Sequence, residues 1–178
     1  MNVSEAIRDK RAIRKFTEHP LSEDDIRAIL NAGRRAQSSK NMQAWAFVVV
    51  TGKERLQRLS ECGTYAGHIA GAAMAVAIVT PDPGARFNVM FDAGQAAAYL
   101  QLAAWELGIG SCLATIYEHD RAREILGFPA DLHLRIAISF GYPEPAASRG
   151  GRRRFEEVVH REQWEQHKAL MHPFRKLD

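Results

Sequence analysis

The stretch Phe91-Asp-Ala-Gly-Gln-Ala-Ala-Ala-Tyr-Leu-Gln-Leu-Ala-Ala-Trp-Glu-Leu107 decides the fold. Its composition is helical, and Asp92, Gln95, Gln101 and Glu106 are its only strongly polar members. Gly108 follows as a stop signal. A helix that is apolar nearly all round must be buried on nearly all sides. In a chain of 178 residues it is then the central core helix or the middle of a dimer interface. On either side of it lie strand signals. Trp45–Thr51 (WAFVVVT) and Met74–Thr80 (MAVAIVT) precede it, rich in β-branched and aromatic residues, and read as buried strands. Cys112–Tyr117 and Arg135–Gly141 (RIAISFG) follow it and read as two more.

Helices are expected over Val3–Lys10 with Ser4 as cap, and over the segment after Ser22, where Glu23-Asp24-Asp25 forms an acidic first turn that fades at Gly33. Further helices are expected over Lys53–Cys62, Tyr65–Gly71 and Asp120–Leu126. Helix pairs precede the first strand and the strands are irregularly spaced. This pattern favours an α+β fold, a mixed sheet flanked by helices, over a doubly wound parallel sheet.

Hydrophobic residues make up 46% and charged residues 25%, the balance of an ordinary globular protein, which excludes disorder, collagen and coiled coil for the whole chain. The length suits one domain, residues 1–178. The apolar run around Ala70–Thr80 is far shorter than the roughly 20 residues of a membrane span. Met1–Lys10 lacks the apolar core of a signal peptide. Cys62 and Cys112 form neither a CxxC nor a disulfide framework, so a cytoplasmic protein with buried, reduced thiols is expected. The whole net charge of +3 lies in residues 149–178. Val158–Asp178, helical in character around Glu162–Met171, is too polar to be a core element.

Familiar catalytic patterns are missing. Gly108-Ile-Gly110 follows a helix instead of a strand, so it is a helix stop and not a dinucleotide fingerprint. Gly110-Ser-Cys112 is no nucleophile elbow, and His167 and His172, five apart, share no helix face, so no metal site is expected. Two other features combine. Lys10, Arg11, Arg14 and Lys15 form one basic cluster, and Arg149, Arg152, Arg153 and Arg154 another. Ser38-Ser39-Lys40-Asn41-Met42-Gln43 places hydroxyls and amides directly before the first strand. Alone, the first is a solvated helix end and the second a turn. Together they describe a site for a phosphorylated heterocycle: arginine forks for the phosphate, amides for the edge of a pyrimidine-like ring. Nucleic acid is the other source of phosphate, but no stacking aromatics alternate with the arginines and no helix-turn-helix pattern appears.

Lys10-Arg-Ala-Ile-Arg-Lys-Phe16 resembles the Arg-Arg-Ser-x-Arg-x-Phe opening of the FMN-dependent nitroreductase family. Ala36-Gln-Ser-Ser-Lys-Asn-Met-Gln-Ala-Trp45 resembles that family's Ala-Pro-Ser-x-x-Asn-x-Gln-Pro-Trp segment. Asp92-Ala-Gly-Gln-Ala96 with Leu107-Gly-Ile-Gly-Ser111 resembles its central helix, Gly141-Tyr-Pro143 the end of its last core strand, and Arg152-Arg-Arg-Phe-Glu-Glu-Val158 its tail. The resemblance runs in order over about residues 4–164. It implies that Lys10, Arg11, Ala12 and Arg14 surround the FMN phosphate, joined by Arg152 or Arg154. Ser38, Ser39 and Asn41 would line the flavin from the partner subunit, supported by Gln43, with the backbone of Ala114, Thr115 and Ile116 facing the ring near N5. Ala12 stands where the family has serine, Gln37 and Ala44 where it has prolines, and Lys40 adds a charge at the rim.

The resemblance further implies NADH or NADPH as co-substrate and ping-pong reduction of nitroaromatics, quinones or similar electron-poor small molecules. The apolar helix Phe91–Leu107 and the polar tail together point to a homodimer in which residues 158–178 wrap the partner, and no nucleic-acid or membrane partner is expected. The short stretch Pro81–Met90 suggests an open site with little lid. A non-catalytic flavin-binding or sensing module, and a dehalogenase-like or flavin-fragmenting enzyme of the same fold, are the alternative readings.

Overall fold

The computed structural model describes residues 1–145 and 150–164. The chain divides into two units, Met1–Ala147 and Ser148–Asp178.

The first unit is an α+β sandwich. Strands β1 (Ala46–Val50), β2 (Met74–Pro81), β3 (Gly110–Thr115) and β4 (Leu132–Gly141) form one sheet in the order β1-β2-β4-β3. Every ladder is antiparallel, and the one parallel pairing among the described residues is the isolated bridge Ala12–Ser111. β2 and β4 are central and buried almost throughout. β1 is an edge strand, with Ala46 and Val49 exposed, which corrects the expectation of a buried strand. An apolar run does not say whether a strand has one neighbour or two.

Each face of the sheet has its own core. On one side lie α2 (Glu23–Gly33) and α4 (Asn88–Glu106), where Ile29 and Leu100 pack on Val76, Ile78, Ile138 and Phe140. On the other lie α3 (Lys53–Ser60) and α5 (His119–Leu126), where Leu56, Leu59 and Ile125 pack on Val79, Ile116 and Leu134. The expected helix at Tyr65–Gly71 is only a 3₁₀ turn, Gly67–Ile69. Glycines at 67 and 71 supply no helix propensity to extend it. α1 (Val3–Asp9) is capped by Asn2 and not by Ser4. Asn2 and Glu5 lie three apart, so each side chain satisfies the other's backbone amide at 2.9 and 3.0 Å.

α4 starts three residues before the expected boundary and ends as expected. Gly108 at φ 75° donates to Trp105 O, and Ile109 donates to Ala104 O, which closes a Schellman stop. Asp92, Ala93, Ala96, Ala97, Leu100, Gln101 and Ala104 are buried against the sheet. The opposite face carries Phe91, Gly94, Ala98 and Tyr99, all exposed in the single chain. Burial on nearly all sides is therefore not achieved within one chain.

In the second unit a single helical turn, α6 (Phe155–Val158), is followed by irregular backbone in which His160 stacks on Trp164 at 4.2 Å. Residues 162–164 are not helical, and the remainder of the helix expected around 162–171 lies outside the described residues, as do His167 and His172. No helix among the described residues is long and apolar enough to cross a membrane.

Candidate functional site

The first basic cluster lies on a segment that the sheet draws in. After α1 the chain runs across the ends of β3 and β4, bridging Ala12 to Ser111 and Phe16 to Pro143. Ile13 N donates to Ser111 O and Thr17 N to Tyr142 O, each at 2.9 Å. Ile13 and Phe16 are buried beneath. Two glycines permit this approach. A Cβ on Gly110 would lie 2.8 Å from Ile13 Cβ, and one on Gly141 would lie 2.9 Å from Phe16 Cβ. With Ile13 turned inward, Ala12 and Arg14 are turned outward and are exposed. Arg11 is directed backward: its Nη1 donates to Arg8 O at 2.8 Å and Lys10 O at 3.0 Å, closing the end of α1.

Beside this segment runs the free edge of the sheet. β3 is the terminal strand, and Ser111 points its carbonyl outward to Ile13. The alternation of an antiparallel ladder then directs the backbone groups of Leu113 and Thr115 outward too. Ala114 is buried and faces its backbone to β4, so Leu113 and Thr115 are the residues whose amides line the edge. Gly63 lies against Thr115 O so closely that any Cβ there would collide with it, 2.2 Å away. The loop after α3 thus borders the same edge.

That loop brings in a residue that the sequence did not single out. His68 Nδ1 lies 2.8 Å from Ser139 Oγ, which in turn donates to Cys112 O at 3.3 Å. Ser139 therefore accepts from His68 Nδ1–H, and Nε2 is left as an acceptor. Nε2 is buried and has no hydrogen-bond partner among the described residues. Burial first, and the charge of Arg14 second, push the His68 pKa down, so the ring is held neutral. Burial pushes the Cys112 thiol up, while Arg14 and Lys10 oppose that shift. Arg14 thus acts on both His68 and Cys112, and Lys10 on Cys112.

The hydroxyl and amide loop is elsewhere. Ser39 N donates to both carboxylate oxygens of Asp92, at 3.1 and 3.0 Å, which fixes the loop to the first turns of α4. Ser38 Oγ accepts from Gln43 N at 2.8 Å, and Gln43 Nε2 donates to Asn41 Oδ1 at 3.2 Å. Lys40, Asn41 and Gln43 all have positive φ, 52°, 53° and 48°. Such conformations cost about 1–2 kcal/mol per residue, least for Asn. At the far end of α4, Gln101 Nε2 donates to Ser111 Oγ at 3.3 Å, beside Ala12. Asp92 and Gln101 are nine positions apart, about 14 Å along the axis at 1.5 Å per residue. The chain therefore sets Lys10 and Arg14 beside the start of β3, near Cys112, and holds Ser38–Gln43 at the other end of the central helix.

In the second unit Arg152 Nη1 donates to Gly150 O and Gly151 O, at 3.4 and 3.1 Å. Arg153 and Arg154 both pair with Glu157, at 3.5 and 2.9 Å, and these contacts depress that carboxyl's pKa. Arg149 lies outside the described residues. Among the described residues no group of three His, Cys, Asp or Glu is placed to hold a metal ion.

Known proteins share this architecture. A protein of Archaeoglobus fulgidus, named provisionally an NADH dehydrogenase/NAD(P)H nitroreductase, is 30% identical over 164 residues, covering 87% of this chain and 94% of its own. An NADPH-flavin oxidoreductase of Vibrio harveyi is 27% identical, covering 93% of this chain and 75% of its own. Among solved structures, an FMN-dependent nitroreductase from Clostridium difficile superposes with a TM-score of 0.82 at 29% identity, covering 91% of this chain and all of the other. Residues 7–62 and 60–142, which span the basic segment, the loop, the central helix and all four strands, match the Nitroreductase family, and the chain belongs to it.

Proposed function

We propose that this chain is an NAD(P)H-dependent FMN oxidoreductase that reduces nitroaromatics, quinones or similar electron-poor small molecules. The observation that carries this reading is the buried, unpartnered acceptor at His68 Nε2, with Arg14 acting on its ring and Arg14 and Lys10 acting on Cys112 of the adjoining strand. FMN fits that set. Its phosphate suits the cations, its imide N–H suits a neutral imidazole acceptor, and its N5 suits a backbone donor such as Thr115 N. When bound, FMN would supply the hydride chemistry between NADH or NADPH and the second substrate, in the proposed ping-pong order. The protein binds and orients. Arg14 and Lys10 neutralise the phosphate, while Arg11 secures the end of α1 beneath them. Ser139 fixes the tautomer of His68 through its hydrogen bond to Nδ1. The connection between β2 and α4 is short, with turn residues at 83–85, which leaves the site open to acceptors of varied shape.

The reading includes a homodimer. The exposed apolar face of α4 is self-complementary under a twofold axis, and an antiparallel pairing of two α4 helices would bring the partner's Ser38–Asn41 loop toward the Gln101 end, where Ala12 and Arg14 lie. One site would then draw its cations from one subunit and its amide loop from the other. Residues 158–178 are proposed to wrap the neighbour, with Arg152 or Arg154 reaching the phosphate. An interface above roughly 2,000 Å² is expected.

The test is the absorption spectrum of the purified protein, followed by anaerobic addition of NADH or NADPH. A yellow protein that releases FMN on denaturation, and whose flavin is bleached by either nicotinamide, supports the proposal. A protein that takes up no FMN on titration refutes it, and one that binds FMN without bleaching is a non-catalytic flavin binder.

A further inference from the structure

Asp92 is a buried carboxylate, 5% exposed, and both of its oxygens hold a single backbone amide 53 positions away, Ser39 N. The other hydrogen bonds of residues 38–43 are internal or join the neighbouring Trp45: Asn41 N to Ser38 O, Met42 N to Ser39 O, Gln43 N to Ser38 Oγ, Gln43 Nε2 to Asn41 Oδ1 and Trp45 N to Gln43 O. Among the described residues, the Asp92 clamp is thus the only hydrogen bond from this loop to another element of the fold. The loop it holds is strained, with three non-glycine residues at positive φ. Strain of this kind persists only where the surroundings over-determine the backbone. A carboxylate buried against one N–H is also an expensive way to fill a core position, since most of its acceptor capacity goes unused.

We propose that Asp92 is a positioning residue of the flavin site: it clamps Ser39 so that the loop is already in its left-handed form before the cofactor arrives. Without the clamp, FMN would have to order the loop itself and would bind more weakly by that cost. The inference rests on the FMN reading above.

The experiment compares wild type, Asp92→Ala and Asp92→Asn. Asn retains a carbonyl acceptor toward Ser39 N. Three quantities are read: FMN dissociation constants by fluorescence titration, the visible circular dichroism of the saturated flavin, and hydrogen exchange of peptides covering 38–43 in the apoprotein. Asp92→Ala is expected to weaken FMN binding roughly 10- to 150-fold, the loss of one charge-assisted hydrogen bond. It should also alter the flavin dichroism and speed exchange in residues 38–43 of the apoprotein. Asp92→Asn should recover part of the loss, binding FMN roughly fivefold tighter than Asp92→Ala, since it restores a neutral hydrogen bond in place of a charge-assisted one.

If Asp92→Ala does not fold, Ser39→Pro is compared with Ser39→Ala. Ser38 is already extended at φ −142° and ψ 153°, as a residue before proline requires, so proline removes the N–H without other backbone conflict. Only the proline variant should show the larger loss of FMN affinity. Wild-type affinity and unchanged loop exchange in Asp92→Ala, or equal affinity in the Ser39→Pro and Ser39→Ala variants, would overturn the inference while leaving the FMN reading intact. Failure of Asp92→Asn to recover affinity, with exchange raised across the whole chain in both Asp92 variants, would overturn it too, as the mark of a general core defect. A wild-type chain that binds no FMN overturns both.

Discussion

Gly110→Ala tests whether the sheet positions the cations. A methyl at 110 would lie 2.8, 2.8 and 2.9 Å from Ile13 Cβ, Cγ1 and Cγ2, where ordinary contact begins at 3.4 Å. Ile13 cannot swing aside. It is β-branched, hence stiff at χ1, it is 4% exposed, and its amide is bonded to Ser111 O. The segment must therefore lift from the strand by more than half an ångström. Overpacking of this kind costs about 1–3 kcal/mol, and each kcal/mol lowers Tm by about 2–4 °C in a domain of this size. Because Arg14 follows Ile13 immediately, the same lift displaces a phosphate donor. If one charge-assisted contact is lost, FMN binding weakens roughly 10- to 150-fold.

Gly141→Ala presses on the other end of the same segment, where its methyl would meet Phe16 Cβ, Cγ and Cδ1 at 2.9 Å. One lift relieves both clashes. The double variant should then lose less stability than the sum of the singles, by about 0.5 kcal/mol or more, which a double-mutant cycle in urea would resolve. Additive losses would mean that residues 10–17 do not move as a unit. A destabilised Gly110→Ala protein with wild-type FMN affinity would show that the segment does not bear on the phosphate.

Arg14→Ala should weaken FMN binding by about 1.5–3 kcal/mol in a fluorescence titration, and should also raise the pKa of His68 in an NMR titration, since Arg14 contributes to its depression; an unmoved His68 resonance would separate the two residues. His68 has a folded pKa below its unfolded value, so the stability of its neutral form is present above about pH 6.5 and is lost as pH falls through the folded pKa. Urea melts from pH 7.5 to 5 should show this loss in wild type and not in His68→Gln, and parallel profiles would contradict it. Ala98→Glu places a charge on the exposed face of α4 and should cost the isolated fold within about 0.5 kcal/mol. It should yield a monomer with weakened FMN affinity in light scattering and titration, and an intact dimer would remove α4 from the interface.

What could be read from the sequence and what could not differ by the range over which each signal acts. β2 and β4 were legible because runs such as MAVAIVT and RIAISFG carry their propensity in adjacent residues, and α4's end was legible because Gly108 needs no partner to announce a left-handed stop. The WAFVVVT run marks β1 as a strand but not as an edge strand, because exposure depends on the neighbour it lacks. The site divides in the same way. The basic cluster and the amide loop are local concentrations of one chemistry and stood out. Asp92 stands out only as a polar residue of the central helix and His68 not at all, since the role of each lies with a partner 53 or 71 positions away, Ser39 or Ser139. Arg11 shows the converse: it reads as part of a phosphate cluster, yet its guanidinium lies on the carbonyls that α1 leaves exposed, because a helix end three residues upstream offers acceptors at once. A basic residue just after a helix therefore has two competing uses, and Arg14, which falls on the outward side of an extended segment, is free of that competition.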